Sequence, residues 1–98
     1  MKEIENALRE LDQFSTVVVA GARAHLRHDL LETLHRHGVN VMGPVDSAAK
    51  ALTLIAQSHA DLAIIESTLS GRRDGHELAH ELRHTWGVPT VMMSGDAV

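Results

Sequence analysis

Cysteine and tyrosine are absent from this chain of 98 residues, which also has only one tryptophan and one phenylalanine. Without cysteine there is no disulfide framework and no thiolate zinc site, a composition that fits a reducing cytoplasm. Because aromatic side chains are so few, aliphatic residues must fill the core, which suits helices packed on a sheet. The length predicts one domain, near the small end of the range that builds a stable core alone.

Long hydrophobic runs are missing as well. No stretch approaches the roughly 18 apolar residues that a membrane span needs, and residues 1–14 mix charges throughout, unlike a signal peptide. The formal net charge of -4 argues against a nucleic-acid partner, because such partners favour a basic face. We therefore expect a cytoplasmic protein that binds neither a membrane nor a nucleic acid.

Short apolar runs alternate with segments of helical period along the chain. Residues 1–14 predict an amphipathic helix that precedes a domain formed by residues 15–98. The order of elements within that domain predicts a mainly parallel sheet with right-handed crossovers and helices on both faces. The predicted strands are 15–20, 39–42, 60–66 and 88–94, and the predicted helices are 24–37, 47–58 and 75–86.

One acidic residue stands out by its position in this pattern. Glu66 ends an apolar run from Leu62 to Ile65, which is typical of a parallel strand buried on both faces. Its last residue then lies at the carboxyl edge of the sheet, where open α/β sheets place their chemistry. After a polar loop, Asp74 and Glu77 have the spacing of a capping box at the start of the next helix. Glu66 is therefore the first candidate for a functional residue.

The chain resembles the receiver domain of two-component response regulators from Thr16 to about Asp96. The strongest part is 61–83, where the family shows an apolar strand, an aspartate, a short loop ending in glycine, and an amphipathic helix. Segments 38–52 and 88–94 add weaker support in the expected order. The resemblance implies a three-layer, flavodoxin-like α/β fold with four strands in the order 2-1-3-4. The fifth strand and fifth helix of the family are expected to be missing, and the amino-terminal helix is extra.

The resemblance also implies the place of a phosphoacceptor site, and there the chain departs from the family pattern. Glu66 stands at the position of the phosphoaccepting aspartate and is one methylene longer, a displacement of the kind that costs ~100-fold or more in rate. The acidic pair that holds a divalent metal falls on Ala20, Gly21 and Ala22, which offer no side-chain oxygen to Mg²⁺. We therefore expect neither a bound metal cofactor nor phosphoryl transfer.

Two further positions complete the implied site. Ser94 retains the switch hydroxyl at the end of the fourth strand. The lysine of a fifth strand is expected to be missing, because the chain ends at Val98. Three of the four site functions are then absent, and the chain is predicted not to be an enzyme. Asp74 is a conceivable substitute acceptor, but the role of helix N-cap is favoured.

The sequence leaves three interpretations of Glu66. It imitates a phosphorylated acceptor by supplying permanent negative charge, although a phosphoryl group carries more, roughly -1.5 to -2. It is an acid at a strand end that faces water and has no role. In a further hypothesis Arg23, from the loop where the metal-binding acids would lie, forms a salt bridge with Glu66.

Histidine is abundant, with eight residues in the chain. Three of them, His76, His80 and His84, recur at four-residue spacing on one predicted helix. Two histidines four apart on a helix can chelate Zn²⁺ or Ni²⁺, and accessible imidazoles do so without selection for it. Histidine also serves as an ordinary solvated residue, and a pH-responsive surface is favoured over a metal site.

The favoured function is a non-phosphorylatable receiver-like module that acts by protein–protein contact in a two-component phosphorelay. Its partner would be a histidine kinase, a phosphotransfer protein or a downstream regulator. The alternatives are a phosphoacceptor with unusual chemistry, an oligomerisation scaffold, and a histidine-dependent metal-binding module. The apolar fourth strand, Thr90–Met93, would be a sheet edge. We expect a homo-oligomer that pairs across this edge, or cover from the amino-terminal helix.

Overall fold

Four parallel strands form a single sheet between helices in the computed structural model. The structure describes residues 6, 8, 9, 11, 12, 15–22 and 24–93. The order β2-β1-β3-β4 confirms the predicted strand order, and each neighbouring pair is parallel. The strands are β1 (Thr16–Ala20), β2 (Asn40–Val45), β3 (Leu62–Glu66) and β4 (Thr90–Met93), and the helices are α1 (Ala24–His37), α2 (Ala48–Gln57) and α3 (Gly75–His84).

The central strands are buried on both faces, as their continuous apolar sequence predicts. In β1 the alternate residues Val18 and Ala20 pack with α2 and α3, while Val17 and Val19 pack with α1. All five residues of β3 are buried. Each face therefore has its own core, and the sheet is the middle layer of three. None of the helices in the described part of the chain is long and apolar enough to cross a membrane.

Two aliphatic cores separate the helices by face. The core under α2 and α3 is built from small and branched side chains, which let both helices lie close to the sheet. Its helical members are Ala48, Ala51, Ile55, Leu78, Ala79 and Leu82. The core under α1 contains Leu30 and Leu34 from that helix, with Leu62 and Ile64 from β3.

The amino-terminal segment contributes to the core under α1. Leu8, which is helical, is only 1% exposed and joins Leu30, Leu34 and Ile64 in one buried cluster. Val91 and Met93 of β4 pack against the same cluster. Leu8 thus packs on the same sheet face as α1, beside side chains of β4. Of the predicted apolar stripe, Ile4, Ala7 and Phe14 lie outside the described residues.

The predicted end of the second strand at Met42 is wrong. The structure continues β2 through Gly43 and Pro44 to Val45. Proline is tolerated there because β2 is an edge strand, so its missing N–H breaks no ladder hydrogen bond. A shift of register between Val18 and Ala20 of β1 accommodates the interruption. The other strands and helices of residues 15–93 match the predicted ones to within a few residues at their ends. The predicted amino-terminal helix does not continue to residue 14, because Leu11 and Asp12 are not helical.

A carboxylate joins the amino ends of β1 and β3. Asp61 Oδ2 accepts a hydrogen bond of 2.8 Å from the Thr16 N–H, and Asp61 Oδ1 lies 3.0 Å from His59 Nε2. The Thr16 N–H is the main reason that the pKa of Asp61 is lowered; partial burial opposes the shift, and the His59 ring adds to it. A residue outside the candidate site thereby couples folding to pH.

We expect Asp61→Asn to lower the free energy of unfolding by about 1 kcal/mol at neutral pH, a value that allows for solvent screening. Because folding lowers the carboxyl pKa, its contribution is fully present above the unfolded-state value of ~3.9 and is lost as pH falls through the folded-state value. Urea unfolding of both proteins should show the difference shrinking below about pH 4. A difference that stays constant down to about pH 2 would contradict this assignment.

Candidate functional site at the carboxyl edge of the sheet

Glu66 lies where the sequence predicted, at the carboxyl end of a central strand. It is the last residue of β3, and in the register it stands beside Met93 of β4. Its neighbour Ile65 pairs with Ala20, the last residue of β1. The loops that follow β1 and β3 therefore meet around the Glu66 side chain. Open parallel sheets place their binding sites at this edge.

The Glu66 side chain is fully buried, with 0% exposure. Its Oε1 accepts a hydrogen bond of 2.9 Å from the Ala22 N–H, and the same N–H lies 3.3 Å from the Thr68 carbonyl oxygen. A carboxylate taken out of water requires such donors, because its desolvation is costly. The interpretation of Glu66 as an acid that faces water is therefore wrong. The carboxylate instead ties the β1–α1 loop to β3.

The β1–α1 loop uses its backbone at the site. Gly21 is buried, and its N–H donates a hydrogen bond of 2.8 Å to the Val45 carbonyl, while the Ala22 N–H faces Glu66. Neither residue has a side-chain oxygen, and the Glu66 oxygen that faces this loop already accepts a backbone N–H. These residues do not fit the oxygen-rich octahedral shell that Mg²⁺ requires. No step through a divalent metal follows from them.

Two predicted site residues fall outside the part of the chain that the structure describes. They are Arg23, which follows Ala22 in the β1–α1 loop, and Ser94, which follows β4. The salt bridge between Arg23 and Glu66 and the switch hydroxyl of Ser94 therefore stay predictions.

The β3–α3 loop is fastened to the neighbouring β2–α2 junction. The Ser70 N–H donates a hydrogen bond of 2.7 Å to the Asp46 carbonyl, and Ser47 and Ser70 form an isolated parallel bridge. A pocket of about 340 Å³ opens beside this contact, with Leu52 and Arg72 among its lining residues. The loop beside the candidate site is thus held by backbone contacts on two sides.

Gly75 brings α3 against the end of β3, a role that the sequence analysis missed. A Cβ atom at this position would lie 2.1 Å from the Glu66 carbonyl oxygen, and the Gly75 N–H donates a hydrogen bond of 2.9 Å to the Ser67 carbonyl. Only a residue without a Cβ permits this approach. The available signal was a glycine at the first position of a helix, directly after a strong N-cap residue.

Asp74 is confirmed as the N-cap of α3. Its Oδ1 accepts a hydrogen bond of 2.9 Å from the Glu77 N–H, and Glu77 Oε1 accepts one of 3.3 Å from the Asp74 N–H. These two bonds form the predicted capping box. Because its carboxylate is engaged in capping, Asp74 is a poor candidate for a substitute phosphoacceptor.

The histidines of α3 lie apart from Glu66, on the solvent side of the helix. His76, His80 and His84 are exposed, and the rings of His80 and His84 are 4.2 Å apart between centroids. Among the described residues, no three histidine, aspartate or glutamate side chains gather in a way that could hold a metal ion. The spacing of the three histidines therefore yields a surface stripe.

Comparisons of sequence find no counterpart for this chain. No protein-family model matches it. A search of curated proteins finds no relative.

Solved structures of similar shape include a signal receiver domain and a response regulator. The signal receiver domain of a modulated diguanylate cyclase from Desulfovibrio desulfuricans G20 matches 87% of this chain and 68% of its own, with 21% identity and a TM-score of 0.77. The MaeR response regulator bound to beryllium trifluoride matches 87% of this chain and 70% of its own, with 15% identity and a TM-score of 0.75. A MaeR mutant bound to sulfate has a TM-score of 0.69 at 15% identity, over 84% of this chain and 68% of its own.

At these identities the likeness establishes the fold. In its described residues the chain has the flavodoxin-like fold of response regulator receiver domains, as the sequence predicted, with four strands in the sheet.

Proposed function

We propose that this chain is a receiver-like signalling module of a two-component pathway that acts by protein–protein contact and takes no phosphoryl group. The observation that carries the proposal is the Glu66 carboxylate, which is fully buried at the position of the acceptor and bonded to the Ala22 N–H. Glu66 serves as a fixed negative charge in place of a reactive aspartate.

Two features of the site argue against phosphoryl transfer. The Glu66 carboxylate is one methylene further from the backbone than an aspartate, so an attacking oxygen is displaced from its aligned position. Gly21 and Ala22 supply no carboxylates to hold a metal. Since phosphoryl transfer depends almost entirely on positioned charge, each loss removes stabilisation of the transition state.

A fixed charge at Glu66 holds the module in a single conformation. The carboxylate holds the Ala22 N–H beside the Thr68 carbonyl, so the loops after β1 and β3 are closed together without any modification. A receiver that is switched by phosphate gains charge at this point, and a carboxylate imitates that charge in part. The module would therefore present its signalling surface constitutively.

The surfaces proposed for a partner surround this edge. They are α1, which carries the exposed Asp29, and the loop of residues 67–74. The partner class is a histidine kinase, a phosphotransfer protein or a downstream regulator, met in the cytoplasm. We also propose that the module self-associates through the edge of β4.

Incubation with acetyl phosphate and Mg²⁺ tests the absence of phosphoryl transfer. We expect the intact mass to stay unchanged, and the amide NMR spectrum to stay unchanged when beryllofluoride and Mg²⁺ are added, because the site fits no metal. The MaeR response regulator under the same conditions serves as the positive control. A mass gain of one phosphoryl group that Glu66→Gln abolishes would overturn the proposal.

Titration of the isotope-labelled chain with a purified histidine phosphotransfer protein tests the contact itself. We expect amide shifts confined to α1 and residues 67–74, because these elements surround the carboxyl edge. If neither element shows shifts when the partner is present at millimolar concentration, the binding free energy is weaker than about -4 kcal/mol. That outcome would count against this class of partner.

A further inference from the structure

The outer edge of β4 presents an alternating set of backbone groups. The Ala63 N–H donates a hydrogen bond of 2.9 Å to the Pro89 carbonyl, and Ala63 stands opposite Thr90 in the parallel register. In a parallel ladder the backbone groups of successive residues point to opposite sides of the strand. The groups of Val91 and Met93 therefore face β3, and those of Thr90 and Met92 face outward.

Within the described residues, no strand pairs with this outer edge, since β3 is the only neighbour of β4 in the sheet. The opposite edge of the sheet is protected: β2 contains Pro44, which has no N–H to offer, and its register with β1 is interrupted. β4 has no proline, no charged residue and no bulge between Thr90 and Met93. Natural sheets use those devices to prevent edge pairing, and only one of the two edges has them.

We propose that the edge of β4 pairs with β4 of a second copy, antiparallel, about a two-fold axis at Val91. Thr90 of each copy then exchanges two hydrogen bonds with Met92 of the other, and the two Val91 residues face each other as a non-hydrogen-bonded pair. Every outward backbone group of Thr90 and Met92 is satisfied in this register. The arrangement deepens the self-association of the proposed function and is independent of the chemistry of Glu66.

The strand carries no charge that would repel a second copy. No charged residue occurs from Thr85 to Gly95, so two strands meet without like-charge repulsion. The nearest cation before the strand is Arg83, which donates a hydrogen bond of 3.0 Å to Thr90 Oγ1. Antiparallel pairing sets the two Thr90 residues diagonally across the axis, whereas a parallel partner would set them, with the Arg83 side chains bonded to them, directly opposite each other.

The small size of the contact sets the expected affinity. Four residues a side bury less than the roughly 1,200 Å² of a standard stable interface, so the dimer is weak and needs high protein concentration. Trapping by a disulfide detects such a dimer, and the chain has no cysteine to interfere.

Single-cysteine variants test the register. Across the proposed axis the Cα atoms of two Val91 residues are ~4.5 Å apart, within the ~4.4–6.8 Å range of disulfides. Two Thr90 residues are diagonal neighbours at roughly 8 Å, beyond that range. We expect Val91→Cys to form the crosslinked dimer at least ~10-fold faster than Thr90→Cys under mild oxidation. Equal rates, or no crosslink at millimolar protein, would overturn the proposal.

A second pair of variants separates the backbone contact from the side chain. Met92→Pro removes the outward N–H, whereas Met92→Ala shortens the same side chain and keeps that N–H. In sedimentation velocity we expect the wild type and Met92→Ala to dimerise with concentration and Met92→Pro to stay a folded monomer. Dimerisation of Met92→Pro equal to that of Met92→Ala would refute edge pairing. Neither result changes the outcome of the acetyl phosphate experiment. The dimer and the absence of phosphoryl transfer can therefore be refuted independently of each other.

Discussion

Gly75→Ala is expected to destabilise the protein by about 3 kcal/mol or more, the upper end of the cost of overpacking. The added Cβ would lie 2.1 Å from the Glu66 carbonyl oxygen, 2.8 Å from the Glu66 carbonyl carbon and 2.9 Å from the Ser67 Cα. All three are backbone atoms, so no side-chain rotation relieves the overlap. Helix propensity alone predicts the opposite sign, a gain of up to ~1 kcal/mol.

Urea unfolding followed by circular dichroism measures the change. The control is His76→Ala, at the next position of α3, where the side chain is exposed and we expect a change within ~0.5 kcal/mol. If Gly75→Ala fails to fold, a lower soluble fraction of this variant than of His76→Ala will show the destabilisation instead. A Gly75→Ala protein as stable as the wild type would show that α3 does not approach β3 as closely as described.

Leu8→Ala is expected to cost about 3 kcal/mol, within the usual range for removing a buried leucine side chain. Leu8 is 1% exposed and shares a cluster with Leu30, Leu34 and Ile64. Truncation leaves a cavity over the sheet face, next to the side chains of β4 that pack there. The size of the loss tells whether Leu8 contributes to the stability of the folded domain.

The matched control for Leu8→Ala is Asn6→Ala, because Asn6 is helical in the same segment and exposed. We expect Asn6→Ala to change the free energy of unfolding by no more than ~0.5 kcal/mol. Leu8→Met, which conserves volume, should cost less than ~1.5 kcal/mol. A loss below ~0.5 kcal/mol for Leu8→Ala would place the segment outside the core.

Periodicity predicted most of the element positions, because each element satisfies its own local pattern, whereas the strand order followed from the resemblance to receiver domains. The run Leu62–Ile65 reads as a strand buried on both faces, and all of β3 is buried. The continuation of β2 to Val45 did not follow from the sequence. Whether an edge strand tolerates proline depends on which side of the strand faces a neighbour, and the amino-acid sequence does not specify that side.

The position of Glu66 was predictable, but the environment of its carboxylate was not. Burial of Glu66 depends on the Ala22 N–H, which lies 44 residues away in sequence. Distances of this kind are set by how two loops pack at the sheet edge, and no local pattern encodes them. The role of Gly75 could not be predicted for the same reason, because it depends on a carbonyl group in a different element.

For the histidine stripe, in contrast, the sequence predicted the positions of the side chains but suggested a metal site that the described residues do not form. Four-residue spacing correctly placed His76, His80 and His84 on one helix, where the last two rings are 4.2 Å apart. Spacing gives the direction of side chains along a helix and says nothing about what lies opposite. Two histidines on one helix leave the rest of a zinc shell to be supplied by other elements, and the sequence identified no such ligands.

The loops at the carboxyl edge are held together by their main chain. The N–H groups of Gly21, Ser70 and Gly75 each donate to a carbonyl of another segment or an earlier turn. At exposed positions such bonds do not depend on which side chain is present, unless it is proline, so Ser70 and Arg72 can change identity at little cost to the framework. The carboxyl edge is therefore a rigid framework whose exposed side chains can vary independently of the fold.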